Sequence, residues 1–334
     1  MKKYSIKDIA TLSGVSVATV SRVINDNGRF SEETRNKVLK VIEETGYQMN
    51  YSAKSLRMNK SFSIGILVPD ISNYFFSDIV QKIEEILFAK GYSTIICNTT
   101  RNNKKEIAYL RMLESKGVDG LIVISGADEF GFDYSHAHKN IPYICIDREP
   151  KNRYNTIFIS SNHYQGAFEA TEELLIGGCK YPIITMHKRK SSSGKERCKG
   201  FMDALQKHDI CFSHARNVFT VDVKSENFHA EVKTMLKTHK NIDGIFAIND
   251  TIAMELLQSL KKINIAVPKD IKMIGFDDTP QGCYSSPTLS SVKQDTSTIA
   301  QTAIDNLLNI ISNPDDTGDS IIIPVSLVLR ESST

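Results

Sequence analysis

Beyond residue 62, short unbroken aliphatic runs alternate with longer segments whose apolar residues recur at helical spacing. This alternation constrains the fold more than any other feature. Ser63-Ile-Gly-Ile-Leu-Val68 predicts a buried strand by its continuous aliphatic run. Ile79, Val80, Ile83, Ile86 and Leu87 predict a helix over 78–89. The pattern goes on with strand 93–97, helix 105–116, strands 120–124 and 143–146, helix 165–175, strand 182–186 and helix 200–208. Strand 244–247, helix 251–261 and strand 271–275 complete it. Strands alternating with helices predict doubly wound parallel sheets. About ten such units exceed one sheet, so the expected class is α/β with two lobes side by side.

The first sixty residues follow another rule. Ser5 can cap a helix carrying Ile6, Ile9, Ala10 and Leu12 on one face, Gly14-Val15 makes a corner, and Ser16 caps a second helix with Val20, Val23 and Ile24 turned inward. A third helix is expected over 31–44, with Ser31 as cap, Glu32 and Glu33 complementing its dipole, Val38, Leu39 and Ile42 on its apolar face, and Gly46 at its end. Two short helices around a tight turn form a helix-turn-helix, which lays its second helix in the major groove of double-stranded DNA. Residues 1–46 are therefore read as a DNA-binding headpiece and 47–61, too short and polar for a core, as a linker to the core of 62–334.

Charge supports that division. Residues 1–60 hold eleven Lys/Arg against six Asp/Glu, a net +5, while the rest carries −3. A basic head on a mildly acidic body suits a nucleic-acid binder with a separate regulatory domain, and predicts salt-sensitive affinity. The 41% hydrophobic and 24% charged residues are those of a globular protein. Met1-Lys-Lys-Tyr-Ser5 leads into a helix without a secretory signal, no apolar run approaches the ~20 residues of a bilayer span, and the six cysteines lack a C-x-x-C pair. A cytoplasmic protein with reduced thiols and no membrane attachment is expected.

Val17, Ala18 and Arg22 fall at the start of the recognition helix and one turn on. Arg22 can donate two hydrogen bonds to guanine, with contact to phosphate alone as the alternative, and Val17 and Ala18 can meet a thymine methyl. Ser16, Thr19, Ser21 and Asn25 suit phosphate contacts and capping. One headpiece makes few contacts, so a homodimer reading a near-palindrome is expected.

Ligands of open α/β sheets bind beyond the carboxyl ends of strands. Asn73-Tyr-Phe-Phe76, Asp147-Arg148, Asn249-Asp250 and Asp277 fall at such ends. Charged groups that bridge adjacent hydroxyls, with an aromatic ring on the C–H face, suit a polyol. The structural alternatives are Phe76 as plain core and Arg148 or Arg197 as ion-pair partners. Enzyme motifs are missing: there is no G-x-S-x-G, Walker A, G-x-G-x-x-G or H-E-x-x-H. His136-Ala-His138 lacks a third metal ligand, so no enzyme, metal or cofactor is expected.

Several segments together resemble one family. Ile6-Lys-Asp-Ile-Ala10, Gly14-Val-Ser-Val-Ala-Thr-Val-Ser-Arg-Val-Ile-Asn25, Ala53-Lys-Ser-Leu56, Ile64-Gly-Ile-Leu-Val-Pro-Asp70, Val118-Asp-Gly-Leu-Ile-Val123, Asn249-Asp250 and Ile274-Gly-Phe-Asp-Asp278 are similar, in order and over nearly the whole chain, to the lactose-repressor (LacI/GalR) family of transcriptional regulators. The resemblance implies a hinged core like that of periplasmic sugar-binding proteins, one lobe from about 62–160 and 292–320, the other from about 161–291 and 321–334. It also implies a hinge helix in the linker, with Ser55 and Leu56 at the DNA and the leucine wedged into the minor groove, a step that unstacks and bends the duplex. The chain lacks the heptad tail that makes the lactose repressor a tetramer, in keeping with a dimer.

Within the family, Asp147-Arg148, Arg197, Asp277-Asp-Thr-Pro-Gln281 and Lys293-Gln294 resemble ribose operon repressors of Gram-positive bacteria. That likeness implies a repressor released from its operator by a small sugar, ribose foremost. It assigns Phe75 and Phe76 to the sugar ring, and Asn73, Asn103, Asp147, Arg148, Ser161, Arg197, Asn249, Asp277 and Gln294 to the rest of the site. Asn162-His163 stands where many relatives carry Asp followed by another residue. The loop expected over 188–199 is rich in Lys and Arg, so another or a phosphorylated sugar stays open, as does a catabolite-control regulator with a phosphorylated carrier protein as co-effector.

Overall fold

A computed structural model describes residues 4–24, 26–47, 60–124, 141–150, 156–189, 191–223, 225–313 and 320–334. The chain forms two compact units, residues 1–61 and 62–334.

The first unit holds helices α1 (Ile6–Ser13), α2 (Val17–Ile24) and α3 (Glu32–Thr45). Ser5 and Asp8 close a capping box, the Asp8 amide donating to Ser5 Oγ at 3.3 Å and the Ser5 amide to Asp8 Oδ2 at 2.7 Å. Gly14 then takes the left-handed conformation at φ 68°, which ends α1 and turns the chain. Ile9, Ala10, Val20, Val23 and Val38 form the buried core. Two residues expected in that core lie outside it: Leu12 is 57% and Leu39 43% exposed. Three short helices enclose so little volume that a fourth apolar column has nothing to pack against.

The second unit contains two six-stranded sheets, one for each lobe. The first has the order β11-β5-β4-β3-β1-β2, built from β1 (Ser63–Val68), β2 (Ser93–Asn98), β3 (Gly120–Ile124), β4 (Tyr143–Ile146), β5 (Thr156–Ser161) and β11 (Ser320–Ile323). The second has the order β12-β10-β9-β8-β6-β7, built from β6 (Pro182–His187), β7 (Val218–Val221), β8 (Gly244–Ala247), β9 (Lys272–Asp277), β10 (Ser290–Gln294) and β12 (Val325–Val328). All pairings are parallel except β10 with β12. The α/β doubly wound class and the two lobes are thus present, with one antiparallel edge that alternation alone did not foretell.

Helices α4 (Tyr74–Ala89) and α12 (Thr296–Ser312) cover one face of the first sheet, and α5 (Asn103–Lys116) the other. The second sheet is flanked by α6 (His163–Ile176) and α7 (Ser192–Lys207) on one face and by α9 (Phe228–Thr238) and α10 (Asp250–Lys262) on the other. Short α8 (His214–Asn217) and α11 (Pro280–Tyr284) complete the unit. The chain passes between the sheets three times: after β5, after β10 and between β11 and β12. Helix α4 starts at Tyr74, four residues before the expected start. Helix α7 begins at Ser192, so most of the basic stretch read as a loop over 188–199 is helix. Both early starts come from side-chain caps, Asn73 and Ser191, which apolar periodicity does not register. Helices α6 and α7 approach so closely that a Cβ on Gly200 would lie 2.2 Å from the Tyr164 carbonyl oxygen.

Candidate functional site

In the headpiece, Ser16 caps α2 by accepting from the Thr19 amide at 3.1 Å, and the two hydroxyls lie 2.9 Å apart. Ser16, Ala18 and Arg22 are exposed, Ala18 and Arg22 one turn apart, while Thr19 and Ser21 are partly buried. Val17 packs in part against the headpiece core, so less of it faces outward than the sequence suggests. The predicted contacts Asn25, Ser55 and Leu56, the hinge helix and His136-Ala-His138 lie outside the described residues.

The core unit gathers its polar residues at the carboxyl ends of strands. Asp147 follows β4, Ser160 and Ser161 end β5, His187 ends β6, Asn249 follows β8, Asp277 ends β9 and Gln294 ends β10. Asp147 Oδ1 accepts from Ser160 Oγ at 3.0 Å, the Ser161 amide at 3.3 Å and His163 Nε2 at 2.9 Å. The other edge of that imidazole, Nδ1, accepts from Arg197 Nε at 3.4 Å and from its terminal nitrogen at 3.3 Å. Arg197 also donates to the Ile248 carbonyl, stands 3.6 Å from Asp277 Oδ1, and lies with its guanidinium carbon 3.6 Å from the centre of the Phe276 ring. Gln294 closes the chain by donating to Asp277 Oδ1 at 2.7 Å.

Every charge in this chain is buried, so its neighbours decide its state. Burial pushes the Asp147 carboxyl up, but His163, Arg197 and the Ser160 hydroxyl outweigh it and hold the pKa below the ordinary value. Burial lowers the His163 pKa, with Arg197 adding to it against the pull of Asp147, and the ring is held neutral. Asp277 goes the other way: burial raises it to about 7 despite Arg197. His187, pressed by burial and by Arg101 and Arg197, falls to about 4, and its Nε2 accepts from the Asn249 amide at 3.1 Å. Backbone strain collects at the same strand ends, where Thr100, Arg101, Asp147, Asp277 and Asp278 all have positive φ.

The structure thus joins Asp147, Ser161, Arg197, Asp277 and Gln294 in one network, with Asn249 attached through His187. Asn73 caps α4 with its Oδ1 and reaches Thr251 across the cleft with its amide nitrogen at 3.4 Å. Phe75 and Phe76 sit edge to face in the core of the first lobe, the alternative left open for Phe76, with the Arg101 guanidinium 5.7 Å above the Phe76 ring. Arg148 forms a buried ion pair with Glu106 at 2.7 Å. Asn103 opens α5, exposed and next to its cap Asn102. His163, His187, Arg101 and Glu106 were not assigned from sequence. Only His163 left a trace there, as an unusual residue after Asn162.

Two atoms of the network stay open. Among the described residues, the buried Ser161 hydroxyl and Gln294 Oε1 have no hydrogen-bond partner, at a cost of about 1–3 kcal/mol each. Ser161 lies in the wall of a pocket of about 570 Å³, together with Arg148, His163, Ser192 and Lys195. Among the described residues no group of His, Cys, Asp and Glu could hold a metal ion, and no helix is long and apolar enough to cross a membrane.

Comparison with known proteins decides what this architecture is. Residues 5–50 match the model of bacterial regulatory proteins of the lacI family, and residues 61–331 that of periplasmic binding proteins and the sugar-binding domain of the LacI family. The chain belongs to the LacI family. It is therefore a transcriptional regulator and not an enzyme, as the resemblance implied. Among its relatives, the ribose operon repressor of Halalkalibacterium halodurans is 32% identical over 98% of this chain and 97% of its own. The sucrose operon repressor of Streptococcus mutans is 35% identical over 98% of each. The Lac repressor dimer bound to operator and the anti-inducer ONPF superposes with a TM-score of 0.84 at 25% identity, covering 99% of both chains.

Proposed function

We propose that this LacI-family chain is a cytoplasmic, dimeric repressor that holds a near-palindromic operator and releases it when a small sugar, ribose foremost, enters between the two lobes. The observation that carries this reading is the buried chain from Asp147 to Gln294, with two hydrogen-bonding atoms left open beside it. Sugar hydroxyls both donate and accept, and each bond they complete with such an atom removes a desolvation cost already present in the protein. The 32% identity to a ribose operon repressor supports ribose as the sugar.

In this reading Ser16 and Ser21 meet phosphates, Ala18 and Arg22 read base edges, and Ser55 and Leu56 engage the minor groove between half-sites. Asp147 belongs to the first lobe and Arg197 and Asp277 to the second, so a sugar touching all three favours one lobe arrangement. A few kcal/mol of that preference is enough to release DNA. A second reading, a disaccharide or a phosphorylated sugar, is favoured by the pocket of about 570 Å³ at the start of α7 and by the sucrose operon repressor among the relatives.

Operator-fragment binding followed by fluorescence anisotropy tests both, with ribose, sucrose, and their phosphates titrated in. Release by ribose alone is the expected result. Release by sucrose or a phosphorylated sugar replaces the ligand and keeps the repressor, whereas indifference to every sugar removes the sugar reading and brings a protein co-effector forward.

A further inference from the structure

Asp147 and Arg197 come from different lobes, and one side chain stands between them. We infer that His163 is the positioning residue that ties the sugar-contacting carboxylate of the first lobe to the sugar-contacting guanidinium of the second. The inference rests on the sugar reading above and goes beyond it, because His163 itself need not touch the sugar.

Hydrogen-bond chemistry fixes the state of the ring. A guanidinium only donates, so His163 Nδ1, which faces two Arg197 nitrogens at 3.4 and 3.3 Å, has to be an acceptor. The proton of the neutral imidazole is then on Nε2, and it donates to Asp147 Oδ1 at 2.9 Å. Of the groups around the ring, burial and Arg197 from α7 favour the neutral form and outweigh Asp147 from the end of β4 and Glu196 from α7, which favour the charged one; the Phe276 ring of β9 has its centre 5.7 Å away. The side chain is 2% exposed, so a bond lost there is not readily replaced by bulk water. An aspartate in this place would repel Asp147, and a lysine would repel Arg197. Only a neutral group with a donor at one edge and an acceptor at the other satisfies both.

The position of His163 in the chain gives the link its effect. Asn162 caps α6 immediately after the chain leaves the first sheet, so His163 lies where one lobe passes into the other. Its Nε2 bond reaches back to the first lobe and its Nδ1 bond stays within the second. With Ser160 and Ser161 it saturates Asp147 Oδ1, while Oδ2 has no hydrogen-bond partner among the described residues and is the oxygen left for a ligand in this proposal. A sugar that engages Oδ2 or Arg197 therefore acts on both lobes through the imidazole, beside the direct bond from the Ser192 hydroxyl of α7 to the Asp147 carbonyl at 3.2 Å.

The test uses full-length protein. Ring nitrogen NMR of ¹⁵N-histidine-labelled wild type at pH 7 is expected to show His163 neutral with the proton on Nε2, and its shifts are expected to move when D-ribose is added. His163→Gln can bring an amide donor to the Nε2 position for Asp147 but has no acceptor at the Nδ1 position, while His163→Asn can bring its amide oxygen near the Nδ1 position but has no donor that reaches Asp147 from the Nε2 position. By calorimetry each is expected to weaken ribose binding about tenfold, and His163→Phe, which removes both bonds at similar volume, about a hundredfold. Sugar-free operator affinity is expected to fall less than ribose affinity in the Gln and Asn variants, since the headpiece residues themselves are untouched. An Nδ1-protonated or charged ring, unchanged ribose affinity in all three variants, or parallel loss of operator and ribose binding would each overturn the proposal. If wild type binds no sugar at all, the sugar reading itself fails; if wild type binds and His163→Phe binds equally well, only the role of His163 fails.

Discussion

The headpiece and the core place their proposed functional residues in opposite surroundings. In the headpiece, five buried apolar residues hold the helices, and Ser16, Ala18 and Arg22 face outward with nothing built around them. In the core, Asp147, His163, Arg197 and Gln294 are themselves buried and bond to one another. A surface that reads DNA needs only a rigid frame, because base and phosphate supply the partners. A site that detects a small neutral polyol needs its polar groups dry and pre-oriented, so they satisfy each other and leave selected atoms open.

The sharpest challenge to this contrast is to damage each frame in turn. Ile9→Ala empties part of the small headpiece core and is expected to cost about 2–5 kcal/mol, most of what so small a unit has; operator binding at 37 °C then disappears while calorimetry shows the core melting unchanged. Asp147→Ala removes the buried acceptor of His163 Nε2 and the Ser160 hydroxyl, at a cost of about 1–3 kcal/mol for each donor left unpaired. Its expected outcome is normal operator binding that sugar no longer releases, and normal release would remove Asp147 from the site. Arg22→Ala, on an open surface, is expected to weaken specific operator binding by about 1–3 kcal/mol if it pairs with guanine. An equal loss on non-specific DNA would make it a phosphate contact.

Smaller effects refine the picture. Asp277 is raised by burial to about 7, so it takes up a proton in the folded protein at a pH where the unfolded chain is ionised. Its contribution to stability is therefore full below the ordinary carboxyl range and declines as pH rises through about 7. Sugar affinity that uses the ionised form should rise across pH 6–8, and Asp277→Asn should flatten that profile in calorimetric titrations. Least of all, Leu12→Ala, at an exposed site, is expected to shift headpiece stability by no more than about 0.5 kcal/mol; a change as large as that of Ile9→Ala would mean that Leu12 is covered by something the isolated fold lacks.

How far the sequence could be read follows the same division. Helix starts marked by Ser5 and Ser31, the Gly14 corner and the aliphatic strand runs were legible because each is decided within a few residues. The starts of α4 and α7 and the strands β5, β7, β10, β11 and β12 were not, since β7, β11 and β12 are four-residue edge strands and β5 and β10 carry Ser, Thr, Lys or Gln that break the aliphatic run. Asp147, Arg197, Asp277 and Gln294 were placed by resemblance, but their mutual bonding was not visible, and Arg148 and the two phenylalanines turned out to have structural partners. Nothing in a linear sequence says that Glu106 will meet Arg148, forty-two residues away.

The amino-acid sequence by itself determined the α/β class, the separate basic helix-turn-helix unit and the family. The first two rest on local propensity, periodicity and charge, which do not depend on distant residues, and the family rests on the resemblance of its motifs. Only the tertiary structure decided which polar residues share a site, which carboxylate is held ionised and which is driven toward neutrality, and that a single histidine stands between the lobes. Hydrogen bonds and desolvation act over a few ångströms in space, and three passages of the chain between two sheets bring residues from 147 to 294 within that distance.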